Sequence, residues 1–151
     1  MARVRHVAVA VAALAVAGCT TAVAGSPVAI GSAAEDRKLV TDYFAELNDA
    51  GKEGPTTQRD FLRRTQHPDF SDRLCDLGEL TLRIEPAMST FRTDFNWAPE
   101  NAGKPPRGLV YVLGVSVSIR RDGASIAEQI GSQRVVVLDG KAYGFTPCPT
   151  R

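Results

Sequence analysis

Between residues 34 and 51 the apolar positions recur with a helical period. Leu39, Val40, Tyr43, Phe44 and Leu47 fall on one stripe. Glu35 and Asp36 stand in the first turn, where acid suits the helix dipole, and Gly51 reads as the stop. A second helix is predicted after Gly54-Pro55. Thr57-Gln58-Arg59-Asp60 has the form of a capping box, Phe61 and Leu62 are its buried residues, and Pro68 ends it. Phe70, Leu74 and Leu77 then share a face and predict a short third helix closed by Gly78. From Glu79 the period changes to two: Leu80, Leu82 and Ile84 alternate with Thr81, Arg83 and Glu85. Pro86 marks an edge or a bulge, and the strand resumes through Phe91 and Phe95 towards Trp97. NWAPENAGKPPRG is a loop. Leu109, Tyr111, Leu113, Val115, Val117 and Ile119 form one face of the clearest strand.

Asp122-Gly123 and Asp139-Gly140 predict two tight hairpins. Simple pairing across the first sets Ile119 beside Ile126 and Val115 beside Ile130. Pairing across the second sets Val136 near Tyr143. This register gathers the branched and aromatic residues on one face, with Glu128 and Arg134 among them, unless Gly131 introduces a bulge. The predicted fold class is α+β, with N-terminal helices packed on a curved antiparallel sheet.

The start of the chain follows none of these periods. Arg3 and Arg5 precede Val7 to Ala17, a run containing only Val, Ala and Leu. It is too short to cross a bilayer, which takes about 20 apolar residues. A basic start, a short apolar core and small residues after it make a secretory signal. Two processing sites fit. Ala22-Val23-Ala24 has the A-x-A form and would release a soluble protein. Val16-Ala17-Gly18-Cys19 resembles the lipobox of bacterial lipoproteins, and this is the favoured reading. The resemblance implies that Cys19 receives lipid, that the chain is cut before it, and that the protein is held at the extracytoplasmic face of the cell membrane. Residues 1–18 are then the signal peptide, 19–33 the lipidated cysteine with a flexible tether, and 34–151 a single domain. Two or more acyl chains give stable anchoring where one is marginal.

Composition narrows the chemistry. Formal charge is +1 over 151 residues, and loss of Arg3 and Arg5 with the leader takes it to −1. Nothing in that balance selects nucleic acid or another polyelectrolyte. Of the two histidines, the leader removes His6, which leaves His67. A zinc site built on several histidines is excluded within the chain. His67 precedes Pro68 and suits a C-terminal cap on the second helix rather than a catalytic role. Gly114-Val115-Ser116-Val117-Ser118 lacks the last glycine of a nucleophile elbow and lies within a strand. No metal or cofactor is predicted. Once Cys19 is used, Cys75 and Cys148 remain as an even pair in an oxidising compartment, so a disulfide between them is expected.

The order of elements, from a first helix ending Tyr43-Phe44-Ala45-Glu46-Leu47 to strands ending VVVLDGKAYGF, resembles the nuclear transport factor 2-like, or ketosteroid isomerase-like, superfamily. The resemblance implies a bent sheet wrapped around a helix as a cone with a pocket. Members include isomerases, dehydratases and pocket-bearing proteins without activity. Tyr43, Tyr111, Tyr143 and Glu128 are the candidate pocket residues. The expected function is non-catalytic binding of an apolar small ligand or an envelope protein. The alternative is an isomerase- or dehydratase-like enzyme using Glu128 and a tyrosine. Joined to a lipobox, such a domain resembles envelope lipoproteins of high-GC Gram-positive bacteria.

Overall fold

Helix α1 (Ala33–Glu53) buries the predicted stripe, with Val40, Tyr43, Phe44 and Leu47 closed off from solvent. The computed structural model describes residues 33–145, so the leader, the tether and Cys148 lie outside the described residues. The helix does not stop at Gly51 but runs on to Glu53. Gly51 serves packing instead: a Cβ there would stand 2.5 Å from Nε2 of Gln58. Helix α2 (Pro55–Thr65) starts on the proline, two residues before the expected capping box. Gly54 precedes it without a side-chain cap, and Gln58 turns inward. The expected third helix shrinks to a 3₁₀ turn at Pro68–Phe70. Beyond it Leu77 is buried while Leu74 is 38% exposed. So short a segment lacks the turns a helix needs to sustain itself, and tertiary contacts set its path. Among them, Arg73 donates through Nη1 to the Glu100 carbonyl at 2.6 Å.

Four strands follow: β1 (Leu80–Thr93), β2 (Leu109–Arg121), β3 (Ala124–Leu138) and β4 (Lys141–Gly144). They form an antiparallel meander in the order β1-β2-β3-β4. The structure is therefore α+β, two α-helices on a four-stranded sheet. Both Asp-Gly turns are as expected, with positive φ at Asp122 and Gly123 (51° and 80°) and at Asp139 and Gly140 (50° and 72°). Pro86 sits in the edge strand β1, where its missing N–H is tolerated.

The register of the first hairpin departs from expectation. Arg121 pairs with Ala124 and Arg120 with Ser125, but Ile119 then pairs with Ala127. Ile126 is the extra residue of a bulge, and Gly131 is not its site. One added residue sends every later side chain of β3 to the opposite face. Val115 therefore pairs with Gly131, and Ser118 pairs with Glu128. Val136 pairs with Val110 and with Tyr143, as the second turn predicted, but this row lies on the face away from Tyr111. The expected common face is thus split. Ile126 and Ile130, expected in the core, are 52% and 87% exposed.

Each sheet face has its own cover. Helix α1 packs on Leu82, Ile84, Leu113, Val115 and Val135. On the other face Phe145 gathers His67, Phe70 and Trp97, with ring centroids 5.8, 5.7 and 4.8 Å away. His67 is fully buried. Its Nδ1 accepts the Asp69 N–H at 3.2 Å, and its Nε2 lies 2.9 Å from the Arg107 carbonyl. A carbonyl only accepts, so Nε2 carries the proton. His67 thus caps the start of the 3₁₀ turn rather than the end of α2. Asp69 in turn grips Arg107 through both oxygens, and those hydrogen bonds hold its carboxyl down at about 2.

Side-chain amides close the outer edge of β1. Gln58 Nε2 donates to the Leu82 carbonyl at 2.7 Å and its Oε1 accepts the Leu82 N–H at 2.7 Å. Asn48 does the same for Ile84, at 2.8 Å each way. Two amides from the helices take the place of a further strand and block edge pairing. At the opposite edge, the His67 N–H donates to the Gly144 carbonyl at 3.0 Å.

Candidate functional site

An open groove of about 440 Å³ lies where the start of α1 meets the ends of β1 and β2. Ala33 and Ala34 come from the helix, Phe91 and Arg92 from β1, and Leu109 and Tyr111 from β2, with Arg37 and Phe95 at the margin. Its size and mainly apolar lining suit a small-molecule site. The floor is rigid. Phe91 stacks on Tyr111 with centroids 4.3 Å apart and planes 15° from parallel. Arg37 lies 4.9 Å from the Phe91 ring centre and donates to the Met88 carbonyl at 2.6 Å, which ties α1 to β1. Beneath, the Tyr111 hydroxyl donates to Oδ2 of Asp36 at 2.5 Å, and both residues are buried. Burial pushes the Tyr111 hydroxyl well above the ordinary tyrosine value, and its bond to the carboxylate adds to that. Tyr111 therefore keeps its proton and donates it in a hydrogen bond to the Asp36 carboxylate.

One wall is exposed by the way the chain leaves β1. The Asp94 N–H donates to the Val110 carbonyl at 2.9 Å, and its carboxylate accepts from Nε of Arg134 at 3.0 Å. With Asp94 held inward, Phe95 is turned out and is 66% exposed. Arg134, expected on an apolar face, is accounted for by this ion pair and by the Trp97 ring 5.0 Å away.

Of the four candidate pocket residues, Tyr111 alone lines this groove. Tyr43 lies deeper under α1 between Phe44 and Phe61, with ring centroids 5.3 and 5.5 Å away. Tyr143 is on the far sheet face, 6.0 Å from His67. Glu128 is exposed on that face. The bulge at Ile126 is the reason, since it reverses the facing of Glu128 and of everything after it. The sheet thus parts Glu128 from Tyr43 and Tyr111, and eight positions of β3 part it from Val136, the partner of Tyr143, so Glu128 meets no tyrosine hydroxyl in one cavity. Cys75 does not stand as a free thiol, and Cys19 and Cys148 lie outside the described residues. Sequence reasoning missed Asp36. Its place in the first turn suits the dipole, yet it stands four residues before Val40 on the buried stripe, and a carboxylate there needs a donor.

Tyr43 sets an expected pH response. Burial pushes its hydroxyl up to about 12, against a smaller downward effect of its hydrogen bond to Thr65. The unfolded chain ionises this tyrosine near 10. Between those values the native state binds the extra proton, so stability falls as pH rises. The loss from Tyr43 is roughly 3 kcal/mol. Denaturant midpoints measured from pH 9 to 12 should fall less steeply in Tyr43→Phe than in the natural chain; parallel curves would refute the assignment.

Among the described residues no group of three His, Cys, Asp or Glu is placed to hold a metal ion. No described helix is long and apolar enough to cross a membrane. What these features define is an α+β domain, a helix pair on an antiparallel meander, with an open apolar groove at the start of its first helix. No protein-family model matches the chain, and no curated protein matches it. Among solved structures the chain is similar to TraH of the Gram-positive conjugative plasmid pIP501, studied by NMR in solution. Identity is 6% and the TM-score 0.40, over 82% of this chain and 100% of that one. A likeness at that distance carries no argument about this chain.

Proposed function

We propose that the protein is a lipid-anchored envelope lipoprotein whose domain binds an apolar small ligand in the groove at the start of α1. The groove itself is the observation that carries this reading: an aromatic floor held by buried bonds, and an exposed phenylalanine for a wall. Well-packed soluble domains rarely leave such a feature without a use. The Tyr111 hydroxyl is committed to Asp36, so recognition rests on apolar contact, with Arg37 and Arg92 as the charged groups of the lining. A helix laid across the sheet supports the cone-like, nuclear transport factor 2-like character of the domain. The isomerase- or dehydratase-like alternative loses its proposed base, because Glu128 faces outward.

Native mass spectrometry of the protein purified from its own envelope tests the binding reading. A retained small molecule is expected, reduced by Phe91→Ala and unaffected by Glu128→Gln. Turnover of a bound molecule that Glu128→Gln abolishes would overturn it. The anchoring rests on the Val-Ala-Gly-Cys segment and has its own test. Cys19→Ala should move the protein out of the membrane fraction, and unchanged retention with cleavage after Ala24 would refute lipidation.

The Cys75–Cys148 disulfide belongs to the same reading. Phe145 packs 5.7 Å from Phe70, which brings the chain just before Cys148 near the segment leading to Cys75. Cys148 follows Phe145 by three residues, which span at most about 10 Å. Such a bond would remove entropy worth roughly 4 kcal/mol from the unfolded chain. Thiol labelling of both cysteines in the folded protein would count against it.

A further inference from the structure

From the groove's position and margin we infer its ligand class: an anionic phospholipid drawn from the membrane to which the protein is anchored. The inference rests on the binding reading above and names the ligand of that same site. Three observations carry it. The first is where the chain enters the domain. Ala33 and Ala34, the first residues of α1, are themselves part of the groove lining. On the lipoprotein reading the sequence between Cys19 and Ala33 is a short tether, and a flexible chain of that length would span roughly 20 Å. A lipid on Cys19 would therefore keep this end of the domain within reach of the bilayer surface.

The second observation is Phe95. It is an aromatic side chain 66% exposed, at the margin of an apolar groove. The inward hold on Asp94 turns this ring out, and a bilayer interface rewards burial of a ring so placed. The third is charge. Arg37 and Arg92 are both exposed and line the same groove. They bring two positive charges to a lining that is otherwise apolar and aromatic apart from Thr93. Guanidinium is matched in shape and charge to a phosphate diester. Acyl carbon on the Phe91–Tyr111 floor with phosphate at the arginines satisfies both halves of the site. Arg37 spends Nη1 on the Met88 carbonyl and Arg92 Nη1 lies 3.4 Å from the Thr90 carbonyl, so an anion would be met by their other N–H groups; a neutral apolar molecule would leave those donors unused, and a small anion would leave the floor bare.

The test uses the intact lipidated protein, purified in mild detergent and reconstituted in vesicles. The vesicles are phosphatidylcholine with one part in five phosphatidylglycerol, and a trace of either lipid carries a photoreactive diazirine on an acyl chain. After irradiation and proteolysis, labelling by the phosphatidylglycerol probe is expected on residues 33–37 and 91–95, several-fold above labelling by the phosphatidylcholine probe. Phe95→Ser and Arg92→Glu should each lower it about fivefold or more. Both side chains are exposed, and circular dichroism would verify that the variants keep the fold. Labelling confined to the tether, equal labelling by both lipids, or labelling indifferent to both variants would overturn the inference. A separate arm isolates the binding reading: the dye 1-anilinonaphthalene-8-sulfonate is added to the protein in detergent-free nanodiscs of phosphatidylcholine. Dye bound in a Phe91-dependent way without phosphatidylglycerol labelling refutes the lipid assignment and leaves the groove a ligand site. Absence of both refutes the site, and recovery of a protein on the groove in place of lipid likewise overturns the lipid assignment.

Discussion

Replacing Gln58 by alanine is expected to cost the fold about 3 kcal/mol or more. The residue is 1% exposed and carries no charge, yet it joins three elements. From α2 its Nε2 reaches the Leu47 carbonyl of α1 at 3.0 Å and the Leu82 carbonyl of β1 at 2.7 Å, while Oε1 takes the Leu82 N–H at 2.7 Å. Alanine would leave the Leu82 N–H and C=O buried and unanswered, each at about 1–3 kcal/mol. It would also open a void against Gly51, whose missing side chain exists to admit the amide. Since domains of this size hold only about 5–15 kcal/mol in total, the midpoint of urea unfolding should shift far. Asn48→Ala should cost less, because that site is only part-buried. A Gln58→Ala variant within about 1 kcal/mol of the natural chain would show that the amide bridge does not hold β1 to the helices.

Gly144→Ala should destabilise by about 2–3 kcal/mol through overpacking. A Cβ at this position would stand 2.0 Å from the Tyr43 hydroxyl oxygen and 2.7 Å from its ring carbon Cζ. Tyr43 has nowhere to retreat, since Phe44 and Phe61 hold it edge-on and tilted. The backbone has little freedom either: Gly144 pairs with Val135 and accepts the His67 N–H. Combining the change with Tyr43→Phe removes the closest atom and leaves the ring. The double variant should therefore be less destabilised than the sum of the two single ones, by about 0.5–1 kcal/mol or more. Simple additivity would mean that Gly144 is not kept small by the tyrosine.

The elements were largely legible in the chain. Helix α1, strands β1 to β4 and both Asp-Gly turns follow from periods and dipeptides that are local properties of ten to twenty residues. Two kinds of error have a common cause. Gly51 and the Thr57–Asp60 box fit helix-end rules, but Gln58 has a tertiary use that outranks them. His67 was placed at the end of α2 by position, whereas its surroundings come from Asp69, Arg107 and Phe145. In each case the competing partner is distant in the chain, and no local rule counts it.

By itself the sequence determined the class α+β, the two consecutive hairpins and their turn types, because these depend on alternation and on backbone preferences of neighbouring residues. What only the tertiary structure decided is which side chains meet. Ile126 carries the bulge, and no residue type nearby announces it. Because a strand has a period of two, that one extra residue sends Glu128 and Tyr143 to the far face and leaves Tyr111 in the groove without them. The Tyr111–Asp36 bond joins positions 75 residues apart and forms because burying either polar group alone costs more than burying them together. Patterning sets which face is apolar, but the identity of a site rests on register and on packing between distant segments, and those are settled only when the whole chain has folded.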